Sequence, residues 1–247
     1  MNRRNFLISS SALLAACIDT SAPGSDPGSD HLTSRPKTPT GAGPTGRTPL
    51  GIGIDRDGFV YAPVGYTPSA PASLIILLHG AGRSALEWGS TLLNPLFDQR
   101  NIVALAPDSR GASWDLRLTG YGADVEFIDV ALSKVFANYA INPAKIALAG
   151  FSDGASYAVS LGLSNGDLFN AVMGFSPGFY QPGKLRGKPK VFLTHGTADS
   201  VLPFSWTSTQ LAPALTSAGY SVRFEQFDGG HNVPIELFTA SLDWWLS

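Results

Sequence analysis

"KIALAGFSDGASYAVSLGLS", residues 145–164, combines three local patterns that decide the fold. Its first six residues are mostly apolar, as in a strand that is buried on both faces of a parallel sheet. Its last ten residues predict a helix. Between them, Ser152 forms the pattern Gly-x-Ser-x-Gly with Gly150 and Gly154, whose small size lets neighbouring backbone pass close to a tight turn. The stretch therefore predicts a strand, a strained turn that exposes the serine hydroxyl, and a helix.

Strand-like and helix-like segments alternate along the rest of the chain. Residues 123–140 have apolar side chains at helical spacing, with Asp124 and Glu126 in the first turn, where acids favour a helix N-terminus. Residues 53–63 predict an antiparallel strand pair at the sheet edge. This alternation predicts an α/β fold with a mostly parallel central sheet and helices on both faces. The other apolar segments typical of buried strands are LIILLHG (74–80), IVALAP (102–107), AVMGFS (171–176) and KVFLTHG (190–196).

The composition is that of one globular domain. The chain has 247 residues, of which 44% are hydrophobic and 15% charged, and its net charge is −2. An undivided α/β domain of this size is common, and we place it at residues 51–247. Nucleic-acid binding is not expected, because proteins that bind nucleic acids normally have a basic stripe or a basic domain.

The first 17 residues, MNRRNFLISSSALLAAC, have a basic start and an apolar run too short to span a bilayer. Residues 1–16 therefore predict a signal peptide, and Arg3-Arg4 resembles a twin-arginine export signal. Residues 14–17 resemble a bacterial lipobox that ends at Cys17, the only cysteine of the chain. A lone cysteine excludes an internal disulfide and a cysteine nucleophile in the folded domain. We expect lipid attachment at Cys17; the alternative is an ordinary secretory signal.

Residues 17–50 are rich in Pro, Gly, Ser and Thr and have few large apolar side chains. This composition predicts a flexible tether between Cys17 and the domain. The expected location is the bacterial cell envelope, with the protein held at a membrane by its lipid. A soluble secreted or periplasmic protein is the alternative.

A serine hydroxyl becomes nucleophilic only when a neighbouring base removes its proton, and the base needs a group that orients it. His195 and His231 are the two histidines after Ser152, and each follows a strand-like segment. We favour His231 as base and Asp199 as orienting acid, because the order Ser, Asp, His is that of one known class of hydrolase. His195 is the competing base, and Asp228 the competing acid.

The same chemistry requires N–H donors for the negative oxygen that forms when serine attacks an ester. One donor is expected from the backbone of Asp153, the residue after the serine. The second is expected from the loop that follows residues 74–78, with the Ala81 N–H favoured and Gly80 next. His79 is expected to brace this loop.

The segments LLHGAG, PDSRGASWD, GFSDGA, HGTADSVLPF and GGHNVP occur in the order found in small bacterial phospholipase/carboxylesterase-like serine esterases of the α/β-hydrolase superfamily. The chain from about residue 60 to residue 247 resembles this family. The resemblance implies the α/β-hydrolase fold without a large lid domain, a triad of Ser152, His231 and Asp199, and no cofactor or metal. It also implies kinship with secreted polyester depolymerases and feruloyl esterases.

The expected activity is hydrolysis of small-molecule or oligomeric carboxylic esters through an acyl-enzyme on Ser152. The alternatives are a specialised feruloyl or acyl-sugar esterase, a polyhydroxyalkanoate-type polyester depolymerase, and a surface lipoprotein that only binds a ligand. In the segment at 107–115, Ser109 and Arg110 either shape the pocket or, through an Arg110–Asp115 ion pair, only fix the loop. Five aromatic side chains are predicted to form the pocket walls: Trp114, Tyr121, Phe179, Tyr180 and Phe204.

Overall fold

The computed structural model describes residues 29–53 and 55–247, and the fold is one eight-stranded sheet with helices on both faces. The strand order is β1-β2-β4-β3-β5-β6-β7-β8. Strands β3 to β8 are parallel, whereas β2 pairs antiparallel with both β1 and β4. The strands are β1 Gly46–Pro49, β2 Gly58–Ala62, β3 Ala72–Leu78, β4 Ile102–Pro107, β5 Ile141–Phe151, β6 Ala171–Phe175, β7 Lys190–Gly196 and β8 Val222–Phe227.

In the part of the chain that the structure describes, five α-helices cover the sheet. Side chains of α2, α3 and α4 pack on one face, and those of α1 and α5 pack on the other. Successive residues of β3 alternate between the two faces, so the strand is buried throughout, as its continuous apolar sequence predicts. The helices are α1 Asn94–Arg100, α2 Ala123–Asn138, α3 Asp153–Ser164, α4 Ala212–Ser217 and α5 Ile235–Leu246, and a π-helical turn, Trp206–Leu211, leads into α4.

The predicted α/β architecture is confirmed. The predicted apolar segments all become parallel strands, and residues 123–140 become α2 with only its end shortened. The predicted strand pair within residues 53–63 is partly wrong. Only β2 lies there, and its edge partner is β1, which precedes it in the chain.

The tether predicted at residues 17–50 is contradicted from residue 29 onward. Leu32 and Leu50 are fully buried in the core that contains α2. The Leu32 N–H donates to the Asn165 side chain at 2.8 Å, and the carboxylate of Asp129 accepts the N–H groups of Thr33 and Ser34. We call residues 29–45 the strap. The composition of the strap is typical of a linker, yet its polar contacts and buried leucine pack it onto the domain.

The strap is also held by ion pairs. Asp30 lies 3.2 Å from Arg186, and Arg35 pairs with Asp167, which also contacts His31. Residues 29–50 thus belong to the folded domain, which the sequence alone places at residues 51–247. Cys17 and the predicted signal peptide lie outside the described residues. Within the described residues, no helix is long and apolar enough to cross a membrane.

Candidate active site

Ser152 lies at the turn between β5 and α3, with φ 57° and ψ −119°. A non-glycine residue rarely adopts this backbone conformation, so the turn is strained as predicted. A Cβ on Gly150 would lie 2.1 Å from the Gly154 carbonyl oxygen. A Cβ on Gly154 would lie 2.4 Å from the carbonyl oxygens of Leu78 and His79. Both glycines are therefore required by close approach of the backbone.

The ends of three strands in the parallel part of the sheet bring three predicted side chains together. Ser152 follows β5, Asp199 follows β7 and His231 follows β8. The Oγ of Ser152 lies 2.8 Å from Nε2 of His231, and Nδ1 of His231 lies 2.6 Å from Oδ2 of Asp199. These distances join a hydroxyl, an imidazole and a carboxylate in one hydrogen-bonded chain. A protein that only binds a ligand would be expected to have the acid or the base displaced from the serine. Neither Asp199 nor His231 is displaced in this way.

The carboxylate of Asp199 is fully buried. Burial alone would raise its pKa, but hydrogen bonds from His231 and from the N–H groups of Leu202 and Val201 outweigh burial and leave the pKa below its ordinary value. Those two N–H groups donate to Oδ1 at 2.9 and 2.8 Å, which leaves Oδ2 directed at the imidazole. Asp199 therefore stays ionised, with Oδ2 within hydrogen-bond distance of Nδ1 of His231.

His195, the competing base, does not contact Ser152. Its Nε2 lies 3.0 Å from the Leu202 carbonyl and 3.2 Å from Oδ2 of Asp199, and its Nδ1 lies 2.8 Å from the Thr207 hydroxyl. Burial lowers the pKa of this histidine, so the ring is neutral near pH 7. Because both neighbours of Nε2 are acceptors, we assign the ring proton to Nε2. His195 thus contacts Asp199 and helps to hold its carboxylate in place. Asp228, the competing acid, is exposed.

Two backbone N–H groups beside Ser152 are free to bind a negative oxygen. Ala81 and Asp153 line the same cavity as Ser152, and within residues 29–53 and 55–247 neither N–H has an acceptor. The prediction of Gly80 as the alternative donor is wrong for the loop conformation observed. Its N–H donates to Oε2 of Glu87 at 2.7 Å and is not available.

His79 braces the loop as predicted. Its Nδ1 lies 2.8 Å from the Gly80 carbonyl, and its Nε2 accepts the N–H of Ser109 at 3.0 Å. Its own carbonyl accepts the indole N–H of Trp114 at 2.8 Å. The loop that carries Ala81 is thereby joined to the loop that follows β4.

Residues 124–242, just under half of the chain, match the model of the Phospholipase/Carboxylesterase family. The chain has the α/β-hydrolase fold and is similar to carboxylesterases. Its reaction class is the hydrolysis of carboxylic esters by a serine. The fold and the serine hydrolase prediction are therefore confirmed. No curated protein sequence matches the chain significantly.

Solved structures resemble this hydrolase over most of its length. Esterase PE8 is 26% identical with a TM-score of 0.61, and the alignment covers 77% of this chain and 99% of that chain. A ferulic acid esterase from Anaeromyces mucronatus is 20% identical with a TM-score of 0.59, covering 77% of this chain and 84% of that chain. FphF, a fluorophosphonate-binding serine hydrolase of Staphylococcus aureus, is 16% identical with a TM-score of 0.65, covering 83% and 100%. The last two show the fold alone.

A cavity of about 420 Å³ lies above Ser152 in the hydrolase. Two predicted wall residues, Phe179 and Tyr180, line it together with Gln181. Val201 and Leu202, beside Asp199, supply apolar surface, and Arg117 supplies the single cationic side chain among its described lining residues. The cavity is open and mixed in polarity.

A row of three buried serines on α3 fixes the loop that carries Phe179 and Tyr180. Ser156, Ser160 and Ser164 occur every fourth residue, and each hydroxyl donates to the carbonyl four residues earlier. Each hydroxyl oxygen also accepts a backbone N–H from the loop. We call these residues the serine ladder. The accepted N–H groups are those of Gly178, Gln181 and Gly183, at 2.8, 2.9 and 2.8 Å.

Three predicted wall residues of the hydrolase lie elsewhere. Trp114 is 1% exposed and packs in the core, and Tyr121 is buried there with its hydroxyl on the Gln181 carbonyl. Phe204 packs against the rings of His195 and Phe224. Large aromatic side chains gain most by burial, which explains why loops at the rim direct them inward.

The segment at 107–115 is pinned, but by other partners than predicted. Arg110 does not pair with Asp115. Its guanidinium lies 3.3 Å above the Phe127 ring, and the backbone N–H of Arg110 donates to the Asp124 carboxylate. Asp115 instead accepts the Asp124 N–H and the Tyr157 hydroxyl. Ser109 is fully buried, and neither Ser109 nor Arg110 is among the residues that line the cavity.

The sequence interpretation missed four groups at this site, namely Glu87, Arg117, Gln181 and the serine ladder. The ladder has a visible signal, since three serines at a four-residue spacing lie on one face of a helix. Glu87 and Arg117 belong to short 3-10 turns within loops, where no periodic pattern marks a side chain for a role.

Proposed function

We propose that Ser152 is the nucleophile, His231 the general base and acid, and Asp199 the acid that orients His231. The observation that carries this proposal is the unbroken chain of hydrogen bonds from Ser152 Oγ through His231 to Asp199. The chain lies beside two unused N–H donors, those of Ala81 and Asp153.

In acylation, Nε2 of His231 takes the proton of Ser152 while Oγ attacks the ester carbonyl carbon. The carbonyl oxygen becomes negative and accepts the N–H groups of Ala81 and Asp153. Such fixed donors are worth about 3–4 kcal/mol each in the transition state. The protonated His231 then gives its proton to the leaving alcohol, and the acyl group remains on Ser152.

In deacylation, the same histidine removes a proton from water, which attacks the acyl-enzyme carbon. The second tetrahedral intermediate uses the same two N–H donors. His231 returns its proton to Ser152, and the carboxylic acid leaves. Throughout, Asp199 accepts the Nδ1–H and balances the charge of the imidazolium.

The test is hydrolysis of para-nitrophenyl esters from acetyl to palmitoyl by a protein that begins at residue 29, so that the strap and β1 are kept. Ser152→Ala should lower kcat/KM by at least about 10⁴-fold, and Asp199→Asn by a similar factor. Ser205→Ala, at an exposed serine, is the matched control. A fluorophosphonate probe should label the parent and not Ser152→Ala. Turnover or labelling that survives Ser152→Ala overturns the assignment.

A feruloyl esterase is the second candidate, and the two aromatic rings at the cavity favour it. Phe179 and Tyr180 can contact a planar acyl group, which apolar and aromatic pockets bind well. Methyl ferulate and a polyhydroxyalkanoate oligomer therefore belong in the substrate panel. A preference for ferulate over butyrate would identify the specialised esterase, and release from the oligomer alone would identify the depolymerase.

We further propose that the hydrolase is exported and attached to a membrane by lipid at Cys17. The support is the sequence of residues 1–17, with its basic start, apolar run and terminal cysteine. Cys17→Ser should move the protein from the membrane fraction to the soluble fraction, while Ser152 activity per molecule is unchanged. Retention of Cys17→Ser in the membrane fraction would contradict the anchor.

A further inference from the structure

Arg117 lines the cavity above Ser152 and has no partner within the described chain. The other described arginines each make a hydrogen bond, an ion pair or a ring contact. Arg186, for example, pairs with Asp30, and Arg100 pairs with Asp243. In residues 29–53 and 55–247, Arg117 alone among the arginines makes no such contact. Arg117 is also exposed to solvent.

The backbone that presents Arg117 is fixed. Asp115 begins a 3-10 turn, Asp115–Arg117, and its carboxylate is held by the Tyr157 hydroxyl and the Asp124 N–H. Leu116 is buried in the core, and the Asp115 carbonyl accepts the N–H of Leu118. The guanidinium therefore projects from a rigid turn rather than from a mobile loop.

The acids around the cavity are already used by other groups. The carboxylate of Asp153 accepts the Ser113 hydroxyl and the Trp114 N–H. Asp199 binds His231, and Asp115 binds Tyr157. No described acid lies within ion-pair distance of Arg117, so the positive charge in the cavity is not neutralised by the protein.

We propose that Arg117 is a specificity-determining residue that binds a carboxylate group on the substrate, so that the preferred esters are anionic. This inference rests on the proposed function of Ser152. A guanidinium matches a carboxylate with two parallel hydrogen bonds, which gives both orientation and affinity. Binding excludes water from the cavity and strengthens the attraction between the two charges.

The test compares esters that differ in one charge. On the acyl side, mono-para-nitrophenyl adipate is matched with para-nitrophenyl hexanoate. On the alcohol side, meta-butyryloxybenzoate is matched with phenyl butyrate. The pair in which the anionic ester is preferred shows which side of the scissile bond faces Arg117.

The variants are Arg117→Gln, Arg117→Lys and a control, Arg223→Gln. Arg223 is exposed, pairs with Glu225 on β8 and does not line the cavity, so its variant changes the net charge equally. Arg117→Gln should lower kcat/KM for one anionic ester by at least about tenfold, and for its neutral partner by less than about twofold. Arg117→Lys should retain part of the preference, and Arg223→Gln should leave both values unchanged. Added salt should weaken the preference of the parent.

Equal loss on the anionic and neutral esters, or no loss on either anionic ester, overturns the inference. Absence of Ser152-dependent turnover on the neutral esters contradicts the proposed function instead. A binding measurement separates the two. Monomethyl adipate, or meta-butyryloxybenzoate where the alcohol-side pair shows the preference, should bind Ser152→Ala at least about tenfold more tightly than it binds Ser152→Ala with Arg117→Gln. Equal affinity for both proteins overturns the role of Arg117, whether or not esters are hydrolysed.

Discussion

On one side of the cleft above Ser152, residues 79–84 and 108–118 are fixed by ionisable side chains, whereas on the other side residues 177–183 are fixed by serine hydroxyls. We call the first the acid-pinned rim and the second the serine-pinned rim. The acid-pinned rim carries the Ala81 N–H and Arg117, and its loops are held by Glu87, Asp124 and Asp153. The serine-pinned rim carries Phe179 and Tyr180. The rim that carries the proposed oxyanion donor Ala81 is thus the one held by charged acceptors.

This difference has a physical consequence. A carboxylate that accepts backbone N–H groups makes stronger hydrogen bonds than a hydroxyl does, but its strength depends on its protonation state. A serine hydroxyl keeps the same donor and acceptor at every ordinary pH. The comparison therefore predicts large, pH-dependent effects at the acid-pinned rim and modest, pH-independent effects at the serine-pinned rim.

The largest effect is expected from Glu87→Ala. This change leaves the buried Gly80 N–H without an acceptor, so the loop should shift and displace the neighbouring Ala81 N–H. We expect kcat to fall by roughly 10- to 100-fold with little change in KM, because the donor acts only in the transition state. Glu87→Gln keeps an acceptor oxygen and should recover most of the activity. A rise in KM alone would show that Glu87 acts on the substrate rather than on the oxyanion donor.

A smaller effect is expected from pH at Asp124. Burial and, to a smaller extent, the charge of Asp115 raise the pKa of Asp124 to about 6, against hydrogen bonds from the N–H groups of Arg110 and Asp115. The folded state therefore holds the proton more tightly than the unfolded state, whose carboxyl has its ordinary pKa of 3.8. The free energy of unfolding should fall as pH rises from about 4 to about 6, by about 2–3 kcal/mol from this group.

The measurement is denaturant unfolding of the parent and of Asp124→Asn between pH 4 and pH 8. Groups with lowered pKa values, such as Asp199, act in the opposite direction at the lowest pH, so the difference between the two proteins is the informative quantity. That difference should change through the window between about 4 and 6 and be constant above it. A difference that is flat across the whole range would contradict a raised pKa at Asp124.

The smallest effect is expected at the serine-pinned rim. Ser160→Ala removes the acceptor of the Gln181 N–H, and the helix carbonyl of Ser156 loses one donor. We expect a loss of about 1–2 kcal/mol in the free energy of unfolding, and a several-fold rise in KM with kcat nearly unchanged. The same loss at pH 5 and at pH 8 would sharpen the contrast between the rims. Ser221→Ala, at an exposed serine, is the control.

Much of the fold was predictable because its signals are local. Continuous apolar runs such as IVALAP are buried on both faces, and the spacing of Ser152, Asp199 and His231 follows the strand order that places them together. The role of each glycine beside Ser152 was also predictable, since only a residue without a side chain permits the observed backbone contacts.

The rest depends on tertiary contacts that leave no local pattern. The strap has the composition of a linker, yet Leu32 is buried in the core and Asp129 accepts the backbone N–H groups of Thr33 and Ser34. Trp114 and Tyr121 are aromatic residues on rim loops, and whether such a ring lies in the cavity or in the core is decided by packing alone. The unpaired state of Arg117 is likewise visible only when the positions of every neighbouring acid are known.

The packing of the strap also limits how far the domain can travel. The chain is already fixed at Asp30 and Leu32, so residues 18–28 separate Cys17 from the part of the domain that the structure describes. If Cys17 carries the lipid that we propose, this span is at most about 40 Å, whereas a tether that reached residue 50 would allow about 120 Å. The hydrolase would then work within a thin shell above the membrane, where its substrates are those present at the cell surface and not those diffusing past it at a distance.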